Sequence, residues 1–351
     1  MLRKYANKLS ILITGSLGYV GTNATLNLMS QGLNVVGVDS GFYKDCNLVP
    51  IVKQVPTILK DIRDLEISDF ENIDAVIHLA ALSNDPIGEL DESLTYEINY
   101  KAAVRTAELA KAAKVKRFIF ASTQSIYGIA QNDSELDEDN SFKNPQTAYA
   151  KSKLKAEIEI LGMSDSYFTT TSLRPSTVFG WGVRLRSDIV FNNLLLSGLI
   201  HNRIEVHSDG APWRPVVHIN DLCAAIEMCL RSKPDLIAGK SFNIGVINGN
   251  YTVRQLAEAA QKALNGIPVR FNTERIVDPR SYKVAFFKAR DVLGFEAKID
   301  LISGSKEIID NSISLLSRGV DLLGPLTNRL AQMKSLLTKN KIDSSLRFTK
   351  N

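Results

Sequence analysis

The 351-residue sequence predicts an α/β fold in which helices cover both faces of a doubly wound parallel sheet. Short apolar runs without polar alternation indicate strands buried on both faces, and such strands are typical of parallel sheets. These runs alternate with longer stretches of helical periodicity, as expected of strand–helix–strand units. A glycine-rich turn follows the first run, at the position where such sheets bind their ligands.

Each predicted element follows from its own stretch of sequence. In chain order, the predicted strands are KLSILITG, NVVGVD, AVIHLAA and RFIFAST. The predicted helices between them are YVGTNATLNLMSQG, ISDFENI and LTYEINYKAAVRTAELAKAAKV. Together, residues 1–175 are predicted to form a Rossmann-type NAD-binding domain. Residues 216–248 are predicted to return to its sheet through VVHINDLCAAIEMCLRS and KSFNIG.

The remaining sequence is less regular. Residues 176–215 and 249–330 mix helical patterns with turns, and they predict a smaller mixed α/β lobe that covers the strand ends and binds substrate. Residues 331–351 are predicted to form a polar C-terminal tail. One more helix is predicted in LTNRLAQMKSLL, and the last ten residues are expected to be disordered.

The composition argues against several classes of protein. The net charge of +4 comes from 42 basic and 38 acidic residues that are intermixed, which argues against a nucleic-acid partner. No window approaches the roughly 18 apolar residues of a membrane span, so no membrane partner is expected. Cys46, Cys223 and Cys229 lack metal-ligand spacing and predict reduced thiols, a cytoplasmic location and no metal site.

The turn ILITGSLGYVGTNATL carries Gly15, Gly18 and Gly21 between the first strand and the first helix. Glycines there permit close approach of the backbone to a pyrophosphate, and the helix N-terminus supplies N–H groups and partial positive charge. Asp39 ends the second strand, where a carboxylate can accept hydrogen bonds from both ribose hydroxyls of an adenosine. Its charge would repel a 2′-phosphate, and the next two residues carry no cation, so the sequence predicts NAD rather than NADP. An ordinary residue at a strand end is the alternative interpretation of Asp39.

The stretch PQTAYAKSK places Tyr149 and Lys153 one helical turn apart on the same face. Tyrosine is a poor base at neutral pH because its reference pKa is about 10, and an adjacent cation lowers that pKa. Alone, the pair is compatible with a half-buried tyrosine and a solvated lysine on a helix surface. Together with the glycine turn, it predicts a proton shuttle for alcohol oxidation and ketone reduction.

These residues, with the spacing G-x-x-G-x-x-G, resemble the extended short-chain dehydrogenase/reductase family in its NAD-dependent nucleotide-sugar epimerase/dehydratase branch. The resemblance extends from Leu9 to about Gly324. Its marks are TGSLGYVG, DIRD, HLAA, Asn99, STQSIYG, YAKSK, LRPSTVFG and WRPVVHINDL. It implies an enzyme that acts on a nucleotide-diphosphate sugar with NAD as cofactor. It also implies a homodimer formed through the helices at about 92–113 and 148–161.

The resemblance further implies the residues of the site. Thr123 is the third catalytic residue beside Tyr149 and Lys153, with Ser122 as its rival and a cofactor-side contact. The residues implied to bind NAD are Gly15, Gly18, Tyr19, Val20, Gly21, Asp39, Asp61, Ile62, Leu79, Ala80, Ala81, Asn99, Ser122, Tyr149, Lys153, Pro175 and Val178. The residues implied to bind substrate are Thr123, Thr177, Asn193, Arg214 and Arg280. Arg184 and Arg186 could equally reach phosphate or sugar, or lie solvated at the surface.

Gln124 and Ser125 bear on the type of reaction. Sugar 4,6-dehydratases of the family carry Asp-Glu directly after the catalytic threonine, and related decarboxylases keep a glutamate at the second position. Neither Gln nor Ser titrates near neutral pH, so the sequence favours epimerisation at the oxidised carbon, with C4 as the leading position. A carboxylate from the second lobe could still enter the site. The alternatives are a dehydratase, a net oxidoreductase and, more distantly, a non-catalytic NAD-sensing scaffold.

Overall fold

The computed structural model describes residues 9–51, 55–83, 91–272 and 280–349. Its strands are β1 (Ser10–Thr14), β2 (Asn34–Asp39), β3 (Thr57–Leu59), β4 (Ala75–His78), β5 (Arg117–Ala121), β6 (Glu135–Leu136), β7 (Thr169–Pro175), β8 (Thr177–Phe179), β9 (Ile204–Val206), β10 (Trp213–His218), β11 (Lys240–Ile244), β12 (Asn250–Thr252), β13 (Val269–Phe271) and β14 (Lys283–Val284).

The helices are α1 (Tyr19–Ser30), α2 (Glu92–Tyr96), α3 (Ala103–Ala112), α4 (Ala148–Gly162), α5 (Val190–His201), α6 (Ile219–Arg231), α7 (Pro234–Ile237), α8 (Val253–Ala263), α9 (Leu301–Leu316) and α10 (Arg329–Thr338). A π-helical turn over Glu97–Ala102 joins α2 to α3, and another covers Ala289–Leu293. Short 3-10 turns cover Ile62–Asp64, Ile67–Phe70 and Gln124–Tyr127.

A seven-stranded parallel sheet forms the centre, with the strand order β11-β7-β5-β4-β1-β2-β3. The four predicted strands are confirmed as β1, β2, β4 and β5. Chain order reverses between β1 and β4, and this switch point opens a crevice at the carboxyl ends of the strands. The predicted α/β class with a doubly wound parallel sheet is therefore confirmed.

Two apolar layers cover the sheet. On one face, Ala24 of α1 and Ile226 of α6 belong to a cluster that includes Ile11 and Ile13 of β1. On the other face, α3 and α4 pack against the side chains that point the opposite way, such as Leu12. Because both faces are covered, the strands carry the continuous apolar runs that the sequence displays.

A second group of elements lies over the strand ends. Strands β12, β10 and β8 form a small sheet, and α5, α8 and α9 pack around a separate apolar cluster. The segment KSFNIG joins the central sheet as β11, in agreement with the sequence analysis. The residues VVH belong instead to β10, which pairs with β8 and β12 in the small sheet.

The C-terminal residues differ from the expected tail. The predicted helix is present as α10, and Met333, Ile342 and Leu346 are buried in the same cluster as α3 and α4. The expected disorder of the last ten residues is therefore wrong for 342–349. These three side chains, together with Leu336 and Leu337 packed against the same cluster, hold this polar stretch against the protein. None of the helices within the described ranges is long and apolar enough to cross a membrane.

Candidate active site

Two adjoining cavities lie at the carboxyl ends of the central strands. The smaller cavity has a volume of about 140 Å³ and is lined by the glycine turn and by residues that follow β2 and β4. The larger has a volume of about 520 Å³ and extends from the ends of β5 and β7 to the small lobe. The residues shared by both walls are Tyr19, Val20, Leu79, Ala81, Ser83 and Arg186. The two cavities therefore meet beside the glycine turn.

The glycine turn brings the N-terminus of α1 against β1. Gly15 has a φ of +72°, and a Cβ atom there would lie 2.8 Å from the backbone nitrogen of Ala80. A Cβ atom on Gly21 would lie 1.9 Å from the carbonyl oxygen of Gly15, so only glycine fits. Helix α1 begins after Gly18, and no side chain caps its first turn. A helix N-terminus of this kind is suited to bind a pyrophosphate.

Asp39 ends β2 with both carboxylate oxygens bound to backbone amides. Oδ2 accepts a hydrogen bond from the amide of Leu17 (2.9 Å), and Oδ1 accepts one from the amide of Gly41 (2.7 Å). Burial raises the pKa of Asp39, and these amides together with the nearby charge of Arg184 oppose the rise. Each oxygen retains a second lone pair, so the carboxylate can still accept hydrogen bonds from ribose hydroxyls.

The far end of the smaller cavity is formed by Asp61 and Ile62. Arg63 donates to Asp61 through Nε (3.0 Å) and Nη2 (2.7 Å). Burial acts to raise the pKa of Asp61, but the hydrogen bonds from Arg63 outweigh it and hold that pKa below its usual value. The predicted contacts that line this cavity are Gly15, Gly18, Tyr19, Val20, Gly21, Asp39, Asp61, Ile62, Leu79, Ala80 and Ala81.

Asn99 lies behind the cavity wall. Its Oδ1 accepts a hydrogen bond from the amide of Leu82 (2.8 Å), and its Nδ2 donates to the carbonyl of the same residue (3.1 Å). Leu82 lines the smaller cavity, whereas Asn99 is absent from the described lining of both. Asn99 therefore fixes the segment after β4 from behind.

Thr123, Tyr149 and Lys153 come together in the wall of the larger cavity. Tyr149 and Lys153 stand in the first two turns of α4, whose N-terminus is capped by Thr147 through a hydrogen bond from the amide of Ala150 (3.2 Å). The cap fixes the start of the helix and hence the direction of both side chains. The predicted cofactor contacts Ser122, Pro175 and Val178 line the same cavity.

Lys153 is almost completely buried, with 2% of its surface exposed. Its Nζ lies 4.3 Å from the centroid of the Phe120 ring. Burial lowers the pKa of Lys153 to about 7, and the carboxylate of Glu157 opposes this change. The amine can therefore take either protonation state near neutral pH, as a proton-transfer site requires.

The hydroxyl of Thr123 is oriented by the backbone. Its Oγ1 accepts a hydrogen bond from the amide of Ser125 (3.1 Å) at the start of a 3-10 turn. Because one lone pair is engaged there, the hydroxyl proton can be donated into the cavity.

Arg214 and Arg280 lie together at the small-lobe end of the larger cavity, where Thr177 also lines the wall. Nη1 of Arg214 donates to the carbonyl of Trp213 (2.8 Å) and to that of Arg280. Nη1 of Arg280 contacts Oγ of Ser125 at 3.5 Å. Two guanidinium groups therefore stand on one side of the cavity.

Asn193 does not line the described wall of either cavity. It is exposed on α5, and its Nδ2 donates to the carbonyl of Ser187 (3.0 Å). Its neighbour Asn192 is the buried amide, which donates to the carbonyl of Arg186 (2.9 Å). Two adjacent asparagines on a helix face different directions, and sequence spacing alone could not decide which one points inward.

Arg184 and Arg186 are not solvated surface residues. Arg184 is buried, and its Nη1 donates to the hydroxyl of Thr22 (2.6 Å) on α1. Arg186 lines both cavities, forms a two-pronged ion pair with Asp188 and donates to the carbonyl of Ser83 (3.0 Å). Arg186 thus stands at the junction of the two cavities.

Asp188 is the single carboxylate among the described residues that line the larger cavity, which include no Cys or His. Burial acts to raise its pKa, but the ion pair with Arg186 outweighs that effect and lowers the pKa. Gln124 is buried and donates from Nε2 to the carbonyl of Arg174 (3.0 Å). The described wall therefore holds no carboxylic acid that is poised to give up a proton near neutral pH.

The model of the NAD dependent epimerase/dehydratase family matches residues 11–245. The chain belongs to this family. It is accordingly an enzyme that uses NAD, and the predictions of family, enzyme class and cofactor are confirmed.

The relatives of this family member carry more than one activity. UDP-glucose 4-epimerase of Halalkalibacterium halodurans is 27% identical over 83% of this chain and 91% of its own length. UDP-glucuronic acid decarboxylase 4 of Arabidopsis thaliana is also 27% identical, over 84% of this chain and 67% of its own length. Sequence similarity therefore supports a nucleotide-sugar epimerase/dehydratase, and it does not separate these reactions.

Solved structures of the family share the fold. MoeE5 in complex with UDP-glucuronic acid and NAD is 28% identical with a TM-score of 0.74, covering 89% of this chain and 100% of that protein. The NDP-hexosamine 5,6-dehydratase TunA has a TM-score of 0.76 at 21% identity, and this similarity shows the fold alone.

The residues of this family member fit NAD. The uncapped helix N-terminus at the glycine turn suits a diphosphate, and the half-engaged carboxylate of Asp39 suits a ribose. The two cavities also meet at the glycine turn, as expected for two nucleosides joined by a diphosphate.

The C-terminal residues also contribute to the site, which the sequence motifs do not reveal. Asn328 and Leu330 line the larger cavity, and Arg329 lines the smaller one. A helix was predicted here, but the motifs that carry the family resemblance end near Gly324. The Asn before an apolar helical pattern is a capping signal for the helix, but it does not reveal where the helix docks.

Proposed function

We propose that the protein is a nucleotide-sugar epimerase that oxidises one sugar hydroxyl, at C4 in the favoured case, and returns the hydride to the opposite face. The observation that carries this proposal is the content of the larger cavity. Thr123, Tyr149 and Lys153 line it together, and the carboxylate of Asp188 is held ionised by Arg186. This set supports transfer of one proton and one hydride but no elimination of water.

Tyr149 is proposed to take the proton of the sugar hydroxyl during oxidation and to return it during reduction. Lys153 stabilises the phenolate, and its buried amine with a pKa of about 7 can relay the proton. Thr123 donates a hydrogen bond to the reacting oxygen, since its Oγ1 is turned by the amide of Ser125. NAD, when bound, supplies reversible hydride transfer.

The substrate is proposed to be a UDP-hexose or UDP-hexuronate. MoeE5, at 28% identity, has been solved with UDP-glucose and with UDP-glucuronic acid. The guanidinium groups of Arg214 and Arg280 are proposed to bind the diphosphate of the substrate, because a planar guanidinium matches phosphate oxygens with two parallel donors. Thr177 is proposed to contact the sugar.

A dehydratase or decarboxylase is the main alternative, and UDP-glucuronic acid decarboxylase 4 is among the relatives. Gln124 and Ser125 argue against both, because neither side chain can act as an acid near neutral pH. A net oxidoreductase would require NAD to exchange with solution. A non-catalytic NAD-sensing scaffold is disfavoured, because it would have no need of Thr123, Tyr149 and Lys153 in one cavity.

We further propose a cytoplasmic homodimer that pairs through α2, α3 and α4. Ile158 on α4 is 63% exposed, although it is a large apolar residue on a long helix. The three cysteines are unpaired and buried, as expected in a reducing compartment. Light scattering of the wild-type protein and of Ile158→Glu tests the pairing, since a charge at this face should yield monomers.

The decisive experiment is incubation of the purified enzyme with UDP-glucose, UDP-galactose, UDP-glucuronic acid and their N-acetylhexosamine analogues. Products are separated and weighed by mass spectrometry. The proposal expects isomers of unchanged mass for at least one substrate. A product lighter by one water or by carbon dioxide would contradict the proposal and favour the alternatives.

A further inference from the structure

The start of α10 lies at the junction of the two cavities. Arg329 lines the smaller cavity, whereas the residues on either side of it, Asn328 and Leu330, line the larger one. The diphosphate of a dinucleotide joins its two nucleosides, so it is expected at this junction, next to the glycine turn. Helix α10 therefore begins where the diphosphate is expected.

Arg329 is an unusual residue for such a position because only 1% of its surface is exposed. Its Nη2 donates to the carbonyl of Arg184 (2.6 Å), and its guanidinium lies 4.4 Å from the centroid of the Tyr43 ring. Its Nη1 is buried and has no hydrogen-bond partner within the described part of the chain. A buried charged donor without an acceptor is unfavourable unless a ligand supplies one.

The charges around Arg329 also favour an anion. Asp188 is engaged by both prongs of Arg186, and Arg329 has no ion pair of its own among the described residues. Arg184 and Arg329 also act on the carboxylate of Asp39. The three guanidinium groups and two carboxylates together carry a net charge of +1. The positive ends of α1 and α10 lie at the same junction, since both helices begin at residues of the cavity walls.

The chain after Gly324 is held firmly enough to position this guanidinium. Nε2 of Gln332 donates to the carbonyl of Phe42 (3.1 Å), and the ring of Phe348 stacks on that of Phe42 at 5.9 Å. Phe42 lines the smaller cavity, and Met333 is completely buried below it in the sheet cluster. The residues that follow Arg329 are thus anchored against the wall of the smaller cavity.

We propose that Arg329 binds the diphosphate of the dinucleotide, so that the start of α10 forms part of the cofactor site. The contact would be a charge-assisted hydrogen bond from Nη1 to a phosphate oxygen. The substrate also carries a diphosphate, but Arg329 lines the smaller cavity, and the guanidinium groups of Arg214 and Arg280 line the other.

The test compares Arg329→Met with wild type in calorimetric binding of ADP-ribose, adenosine and UDP to protein freed of dinucleotide. Methionine keeps much of the volume and removes the charge. We expect the dissociation constant for ADP-ribose to rise about 10- to 100-fold, as for a lost hydrogen bond to a charged group. Binding of adenosine and UDP should change less than about twofold. Arg318→Met is the matched control, because Arg318 is exposed and its guanidinium donates only to Ser314 on α9 within the described residues.

Equal losses for ADP-ribose and adenosine would overturn the proposal, because they would indicate a structural role. A selective loss of UDP binding would also overturn it and would assign Arg329 to the sugar nucleotide. If Arg329→Met does not fold, Arg329→Lys serves instead. Lysine keeps the positive charge but lacks the planar guanidinium with its paired N–H donors. ADP-ribose binding should therefore weaken about 3- to 10-fold, while adenosine binding is retained. Unchanged ADP-ribose affinity in this variant would contradict the proposal. None of these measurements depends on the identity of the sugar substrate.

Discussion

The guanidinium of Arg186 holds the carboxylate of Asp188 by two hydrogen bonds, Nε to Oδ1 at 2.9 Å and Nη2 to Oδ2 at 3.0 Å, in the wall of the larger cavity. This ion pair determines whether Asp188 can act as a general acid in the cavity. A carboxylate gripped in this way stays ionised near neutral pH and cannot protonate a leaving hydroxyl group.

We therefore expect Asp188→Asn to remain an epimerase. Its turnover should fall by less than about 10-fold, because no proton passes through this residue. The measurement is the rate and mass of the product from each substrate that wild type converts. A loss as large as that of Tyr149→Phe, or a change in product mass, would assign Asp188 to the chemistry and overturn this interpretation.

Tyr149→Phe should fold and still bind NAD but lose at least about 100-fold in turnover, as expected when a proton-transfer group is removed. Steady-state rates and NAD titration are measured on the same preparation. The matched control is Tyr167→Phe, because Tyr167 is 88% exposed and remote from both described cavity walls. Near-normal turnover of Tyr149→Phe would contradict its role as proton shuttle.

Lys153 gives the ligand-free protein a defined pH dependence of stability. Burial lowers the pKa of Lys153 to about 7, whereas in the unfolded chain it returns to about 10.4. Between these values the unfolded state binds more protons than the folded state, so the free energy of unfolding should rise with pH through this window. Below about pH 7 both states are protonated, and the penalty of the buried charge is constant.

The check is denaturant unfolding of ligand-free wild type and Lys153→Met from about pH 7 to pH 10. The wild-type free energy of unfolding should rise relative to that of the variant across the window, since methionine cannot titrate. Parallel curves would show that Lys153 has an ordinary pKa. Lys151 on the same helix is exposed, so Lys151→Met should follow wild type.

The Rossmann part of the fold could be predicted from sequence because its signals are local. Continuous apolar runs mark the buried strands, and the steric need for glycine at Gly21 comes from Gly15 and Ser16 in the same turn. Tyr149 and Lys153 share a face because of helix geometry alone. These residues therefore came together in the structure as the spacing indicated.

The junction of the two cavities could not be predicted in the same way. Arg186 and Arg329 are 143 positions apart in the sequence, and neither belongs to a motif. Whether Asn192 or Asn193 points inward depends on the rotation of α5, which tertiary packing sets. The C-terminal residues looked like a polar tail because their fully buried apolar residues, Met333, Ile342 and Leu346, are widely spaced in a polar stretch.

Arg214→Ala and Arg280→Ala should each weaken the binding of UDP by about 10-fold or more and leave NAD binding intact. A charge-assisted hydrogen bond to a phosphate is expected to contribute about 1.5–3 kcal/mol. Calorimetric titrations with UDP and with NAD separate the two effects. Arg290→Ala is a suitable control, because Arg290 pairs with Asp291 at the surface. Unchanged UDP affinity in both variants would mean that the small lobe binds another group.

Asp39 should make the enzyme select NAD over NADP, and the structure sharpens this expectation. The two residues after Asp39 carry no cation, but the charges of Arg184 and Arg329 act on its carboxylate. In wild type the carboxylate repels the 2′-phosphate and offsets these cations. In Asp39→Ala the cations remain, so we expect weaker binding of NAD and stronger binding of NADP. The measurement is the rise in thermal midpoint with each dinucleotide, because a ligand that binds only the folded state raises its stability.

Asp39→Asn is the matched variant, since it removes the charge and keeps an oxygen acceptor for the amides of Leu17 and Gly41. Equal stabilisation of wild type by NAD and NADP would refute the role of the carboxylate. If Asp39→Ala gains no NADP binding while Asp39→Asn does, the collapse of the turn at Leu17 and Gly41 is the cause.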